Sequence, residues 1–145
     1  MPPGFLPAVA WANVGADKPE NAIQTFFWAG KHSETNLIGN LLRWQRDSDI
    51  PASEELDTQF AQGIVGGTTR FAGELQGYRV TSQQHEANEV RLGIELTNQN
   101  GKAEPHTLRL VREDNQWFPV MHVWLAGPGS VQAAMDVPAK FQQRK

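Results

Sequence analysis

Apolar positions recur at helical spacing through the first half of the chain and then at every second residue. Ala22, Ile23, Phe26, Phe27 and Gly30 share one helical face. Asp17-Lys18-Pro19-Glu20 opens that helix, either with Asp17 as N-cap and Glu20 closing a capping box, or with Lys18 as N-cap and Pro19 at the first helical position. Lys31 and His32 suit the negative end of its dipole. A second short helix carries Leu37, Ile38, Leu41 and Leu42 on one stripe, capped by Ser33 or Thr35. Asp47-Ser48-Asp49-Ile50-Pro51 breaks the pattern. Ser53 caps a third helix, entered through Glu54 and Glu55, whose stripe runs Leu56, Phe60, Ile64 and on to Phe71 and Leu75. Gly66-Gly67 predicts a kink, or two helices in line, ending near Gly77.

From Tyr78 the period becomes two. Tyr78 and Val80 open one strand. Val90, Leu92, Ile94 and Leu96 alternate with polar residues in a second, and His106, Leu108 and Leu110 do so in a third. Trp117 to Trp124 supplies a fourth, with Asn100-Gly101 and Asp114-Asn115 as turns before the third and fourth. On the fourth strand Trp117, Met121 and Val123 face one way and Phe118, Val120 and Trp124 the other, so both faces need a cover. Pro119 cannot donate to a ladder and belongs at a bulge or an edge. Three prolines in the first seven residues favour an extended arm, with Trp11 and Val14 pinning it to the body. Gly127-Pro128-Gly129 starts a linker, followed by a weak helical segment around Val131 to Met135. The organisation expected is an arm over 1–16, a domain over 17–126, and a linker and tail over 127–145.

Helices first and strands afterwards is the order of an α+β domain, with helices packed on an antiparallel sheet. Phe26, Phe27, Leu41, Phe60, Ile94, Leu108 and Leu110 are the expected core. The stretch Lys18-Pro19-Glu20-Asn21-Ala22-Ile23-Gln24-Thr25-Phe26-Phe27-Trp28-Ala29 resembles the opening helix of small NTF2-like domains. Gly77-Tyr78-Arg79-Val80 and Leu108-Arg109-Leu110-Val111-Arg112-Glu113 with Gln116-Trp117 are similar to their first and last strands. The likeness spans about positions 11–124, and in particular the chain resembles the uncharacterised NTF2-like (SnoaL-like) domains of bacteria, alone or attached to sigma-factor-type proteins. The usual Trp-basic-Val ending of such domains reads Trp117-Phe118-Pro119-Val120 here, a departure that touches the pairing of the last strand. The resemblance implies a curved antiparallel sheet wrapped round a helix into a cone, with a pocket lined by Trp28, Tyr78, Ile94, His106, Leu108 and Met121. Some members of the superfamily are dehydratases or isomerases and many only bind.

Composition narrows the chemistry. Thirteen Lys and Arg against sixteen Asp and Glu give a net charge of −3, without the basic stripe of a nucleic-acid binder. The absence of cysteine excludes disulfides, thiol nucleophiles and thiolate metal sites. No apolar run approaches the ~20 residues of a membrane-spanning helix. The opening residues lack the basic start of a signal peptide and Pro7 interrupts their apolar stretch; a mature fragment behind an added Met fits equally, which leaves the compartment open. Gly63-Ile64-Val65-Gly66-Gly67-Thr68-Thr69 lacks the lysine of a phosphate loop, so no cofactor is expected.

The histidines His32, His85, His106 and His122 show no HxH or HxxxH spacing, which gives a metal site no local support. His32 reads as a helix-end cap and His85 as a solvated turn residue within 83–88. If Asp114-Asn115 is a two-residue loop, Leu108 pairs with Met121 and Thr107 with His122. His106 then faces inward with Leu108 and Leu110, and His122 outward. His106 is the one candidate acid or base. Catalytic members of the superfamily generally set an Asp–His pair, or an Asp base, in an apolar pocket. No Asp falls between Asp57 and Asp114, and Glu95 alternates outward with Arg91. The expected function is a non-catalytic accessory or binding domain, using either an apolar pocket, which would suit a small apolar ligand, or its sheet face. The alternative is a dehydratase, isomerase or hydrolase using His106. Trp44, beside Arg43 and Arg46, hints at a contact surface. A homodimer through the outer sheet face is expected to cover Phe118, Val120 and Trp124; the competing covers are the tail, with Val131, Met135, Val137 and Phe141, and the arm, with Phe5 and Trp11.

Overall fold

The computed structural model describes residues 4–46, 54–98, 101–127 and 130–134. Three helices, α1 (Pro19–Lys31), α2 (Thr35–Leu41) and α3 (Glu54–Glu74), pack on a curved, unclosed sheet. Its strands are β1 (Leu6–Pro7), β2 (Arg43–Arg46), β3 (Leu75–Glu86), β4 (Glu89–Asn98), β5 (Ala103–Glu113), β6 (Gln116–Gly127) and β7 (Ser130–Ala134). The order across the sheet is β1-β3-β4-β5-β6-β2, with β7 also on β6. β3 to β6 form the expected antiparallel meander, while β2 runs parallel to β6.

Each helix has a local cause. α1 takes the second of its two possible starts: Lys18 is the N-cap and Pro19 sits at the first turn, where its missing N–H costs nothing. Asp17 accepts a hydrogen bond from Asn21 Nδ2 at 2.8 Å, which lowers its carboxyl from the ordinary value. Neither Ser33 nor Thr35 caps α2; Glu34 holds that position, and Ser33 takes a left-handed φ of 56°. The Gly66-Gly67 pair lies inside α3 without dividing it, and the helix ends at Glu74 rather than near Gly77. Lys31 reaches from α1 to donate to the carbonyls of Gly73 and Leu75, at 3.2 and 3.0 Å, and so serves the carbonyl end of α3. Gly30 sets the α1–α3 approach: a Cβ there would lie 2.7 Å from Ala72 Cβ and 3.3 Å from the Thr68 carbonyl.

One sheet face carries Tyr78, Val90, Leu92, Ile94, Leu96, Leu108 and Leu110, and all are buried with Ile23, Phe26 and Phe27 of α1 in a single cluster. Of the expected core, Phe26, Phe27, Leu41, Ile94, Leu108 and Leu110 are buried, whereas the Phe60 side chain lies outside the described residues. The arm is pinned by Trp11, 5% exposed between Phe27 and Tyr78, and not by the side chain of Val14, a residue 41% exposed. Thr25 completes the clamp: its hydroxyl donates to the Gly15 carbonyl and accepts from the Val14 amide.

Asp114 and Asn115 both have positive φ, 52° and 64°, as a two-residue hairpin turn of the primed kind requires. The register they set holds from Glu113↔Gln116 to Leu110↔Pro119 and stops there, so Leu108–Met121 and Thr107–His122 are not ladder pairs. Pro119 is the cause. With no N–H it ends the β5 ladder, and β6 goes on to pair with β2 from Val120 and with β7 from His122. Residues 43–46, which carry no pattern of their own, form a strand. Two further expectations are corrected. Residues 130–134 form a strand rather than a weak helix. His85 lies in β3 and not in a turn; the turn is at Ala87, with φ of 46°.

Candidate functional site

Four of the residues expected around a pocket, Tyr78, Ile94, Leu108 and Met121, are each no more than 5% exposed and belong to the continuous core. Trp28 packs half-buried against that core. The interior these five were to line is therefore packed with side chains. The bulk of Phe26, Phe27 and Trp11 explains the filling, since these rings pack among themselves and on Tyr78 at centroid distances of 5.3–6.2 Å. Burial in the apolar cluster, with the Glu20 charge adding to it, pushes the Tyr78 phenol up to about 12.

His106 is the exception. It pairs with Ile94 across the ladder, which puts it on the inner face, but near the start of β5. A cavity of about 70 Å³ lies there, lined by Phe71, Glu74, Leu75, Leu96, Asn98, Glu104 and His106. The last turn of α3 forms its roof, and the ends of β3, β4 and β5 form its floor. Phe71, on the apolar stripe of α3, is 43% exposed at the rim instead of buried. Glu104 Oε2 stands 3.8 Å from His106 Nε2, outside hydrogen-bond range, and its side chain is 60% exposed. The pairing of Glu104 with Leu96 and of Leu75 with Asn98 brings these groups to one end of one face. Sequence reasoning missed Phe71, Glu74, Asn98 and Glu104; the available signal was Glu104-Pro105-His106, whose i, i+2 spacing sets both groups on one face of a strand.

No protein-family model matches the sequence, and no curated protein matches it. Solved structures do. An NTF2-like protein of Campylobacter jejuni, described as a candidate transpeptidase, superposes with a TM-score of 0.52 at 11% identity, over 71% of this chain and 97% of its own. The fold is NTF2-like. Also similar are a de novo designed NTF2 fold protein (TM-score 0.48, 12% identity, 81% of this chain and 91% of the other) and an NTF2-like protein of unknown function from Cytophaga hutchinsonii (TM-score 0.42, 12% identity, 81% and 90%). At such identities the likeness speaks for the fold alone.

In this NTF2-like domain the other histidines are placed by packing. His32 caps α1: its Nδ1 donates to the Trp28 carbonyl at 3.0 Å and its ring stacks on Trp28. His85 is exposed, with Nε2 3.0 Å from Gln83 Oε1. His122 departs from expectation. It shares the outer face with Phe118 and Val120, yet it is 1% exposed. Burial first, and then the charges of Arg109 and Arg91, hold its imidazole down at about 4. Among the described residues no group of three His, Asp or Glu is placed to hold a metal, and no helix is long and apolar enough to cross a membrane.

The outer face is charged and paired. Arg79 donates twice to Glu95, with Nε at 2.7 Å, and lies over the Phe5 ring; Arg109 pairs with Glu89. Glu95 thus takes Arg79, directly opposite on β3. Phe118 and Val120 are 9% and 3% exposed within one chain, and the Arg43 guanidinium sits 3.9 Å from the Phe118 ring centre. The side chains of Trp44 and Trp124 lie outside the described residues.

Proposed function

We propose that the protein is a non-catalytic binding domain whose ligand is taken at the mouth of the cone, beside His106, and not in its interior. The observation that carries this reading is the packed core at Tyr78, Ile94, Leu108 and Met121, with open space at the Phe71–Glu104–His106 end. A cavity of about 70 Å³ is smaller than the roughly 300–1,000 Å³ of sites that enclose a drug-sized molecule. It fits one end group of a ligand. An acid–base enzyme needs a histidine and a carboxylate fixed at hydrogen-bond distance in a dry site. His106 and Glu104, at 3.8 Å with the carboxylate mostly in water, do not supply one.

The reading involves a single copy. Phe118 and Val120, two of the three residues that gave a second copy its rationale, are covered within the chain, and the outer face beside them carries the Arg79–Glu95 and Arg109–Glu89 pairs, whereas interface centres are depleted of charge. Light scattering is expected to give the monomer mass, and a concentration-independent dimer would restore the outer-face interface. A fragment titration followed by amide NMR tests the site, with shifts expected at Phe71, Leu96 and His106. Shifts centred on Ile94 and Leu108 would instead show that the interior opens. A dehydration or ester hydrolysis that disappears in a folded His106→Gln variant would replace binding by catalysis.

A further inference from the structure

We propose that the N-terminal arm is a latch on the mouth, engaged through Lys31: docked, it holds the end of α3 against the start of β3, and released, it lets the mouth open; this rests on the mouth being the binding site. One side chain has contacts on both sides. Lys31, in the last turn of α1, sets its Nζ 5.8 Å from the centre of the Trp11 ring and donates to the carbonyls of Gly73 and Leu75. Those two carbonyls flank Glu74, and Glu74 and Leu75 belong to the lining of the mouth cavity. The aromatic anchor of the arm and the junction between the roof and floor of the cavity therefore share one ammonium.

The link works by restricting a mobile group. A lysine stem is among the most flexible of side chains, and holding its ammonium on two carbonyls costs conformational entropy. The Trp11 ring attracts the ammonium from the other side and keeps it where the carbonyls are. The last turn of α3 has no basic residue of its own, so its carbonyl end relies on the cation that α1 brings. Gly30 fits against Ala72 just before α3 ends, which packs the two helices together independently of Lys31. What Lys31 governs is the step beyond, from Gly73 to Leu75.

The arm is built to move as a unit. Leu6 and Pro7 pair with Tyr78 and Gly77, and the Trp11 indole N–H donates to the Leu6 carbonyl at 3.1 Å, so the strand pair and the tryptophan seat form or break together. The pair lies beside the shift in the β3–β4 register between Leu75 and Gly77, where that ladder is locally interrupted. Thr25 holds Val14 and Gly15 to α1, which marks the end of the movable part. Between Trp11 and that clamp, Ala12 and Asn13 are exposed, and the Ala12 amide is tied to the Gln24 side chain. Coupling of this kind is reciprocal: a mouth ligand that prefers the open form must loosen the arm to the same degree.

The experiment follows amide exchange by NMR in the full chain, for wild type, Trp11→Leu, Lys31→Met and the double variant. Leucine keeps an apolar group in the slot and methionine keeps the stem of Lys31, and the spectrum of each variant reports its folding directly. Trp11→Leu is expected to speed exchange at Leu75, Leu96 and His106 about threefold, the size of one cation–ring contact, and to leave Leu92 and Leu110 unchanged. Lys31→Met should do at least as much at the same places. With Lys31→Met already present, Trp11→Leu should change the mouth amides less than about 1.5-fold, because the link is gone. Equal acceleration at Leu92 and Leu110 would mean that the two residues only stabilise the fold, and would overturn the latch. Mouth amides that do not respond, or two effects that simply add, would overturn it as well. The fragment titration, repeated on all four proteins, separates the latch from the binding reading. A mouth that loosens but takes no fragment overturns both, whereas a mouth that takes fragments equally well in all four and keeps its exchange rates overturns the latch alone.

Discussion

At the scale of single residues, His122 gives the protein a pH-dependent stability. Its imidazole is held at about 4 in the fold against an ordinary 6.5, so the unfolded chain takes up the proton first as the pH falls. Its contribution is therefore complete above pH 6.5, declines as the pH drops, and is lost by about pH 4. The loss amounts to roughly 3 kcal/mol at most. Denaturant unfolding at pH 7 and pH 4.5, on wild type and His122→Gln, measures it. The variant is expected to lose clearly less stability between the two pH values than wild type does. Identical pH slopes would mean that His122 is solvated in the fold.

At the scale of elements, the core face rests on Phe26 of α1 against Leu108 of β5, 1% and 3% exposed. Truncating either to Ala is expected to cost about 2–5 kcal/mol, from lost transfer energy plus an unfilled cavity. Thermal melts like those of wild type would show that neither side chain lies in the core. Elements with a long period were legible: α1, α2 and α3 from the spacing of Ile23, Phe26 and Leu41, and β3 to β6 from alternation and the Asp114-Asn115 turn. The short strands were not. β1 is two residues with a proline, and β2 reads Arg-Trp-Gln-Arg; each is a strand because a partner edge stands beside it, which is a tertiary cause. The mouth cavity was hidden for a related reason. Continuing the α3 stripe to Leu75 and its end to Gly77 absorbs Phe71 and Leu75 into a buried helix face. The true end at Glu74 turns Leu75 into a strand residue and leaves Phe71 on the rim. His106 was found because it alternates with Leu108 and Leu110 on one face of its strand, whereas its neighbours Glu74 and Asn98 arrive from elements whose ends the pattern does not fix.

At the scale of the molecule, charge sets what the surface attracts. The chain has a net charge of −3, and Arg79 and Arg109 on the outer face are each matched by a glutamate. No appreciable duplex DNA binding is expected at physiological salt, and a micromolar, salt-sensitive isotherm would contradict this. The change of partner along β6 has a consequence for how the fold opens. Up to Pro119 the strand is tied to β5, and beyond it to β2 and β7, so one continuous backbone joins two regions that otherwise have separate ladders. Such a splice lets the far region fray while the meander stays closed. Amide protons at His122 to Leu125 should then exchange with solvent through openings smaller than global unfolding, ahead of those at Leu92 and Leu110. Equal protection at both places would mean that β6 transmits cooperativity across the splice, and that the molecule opens as one unit.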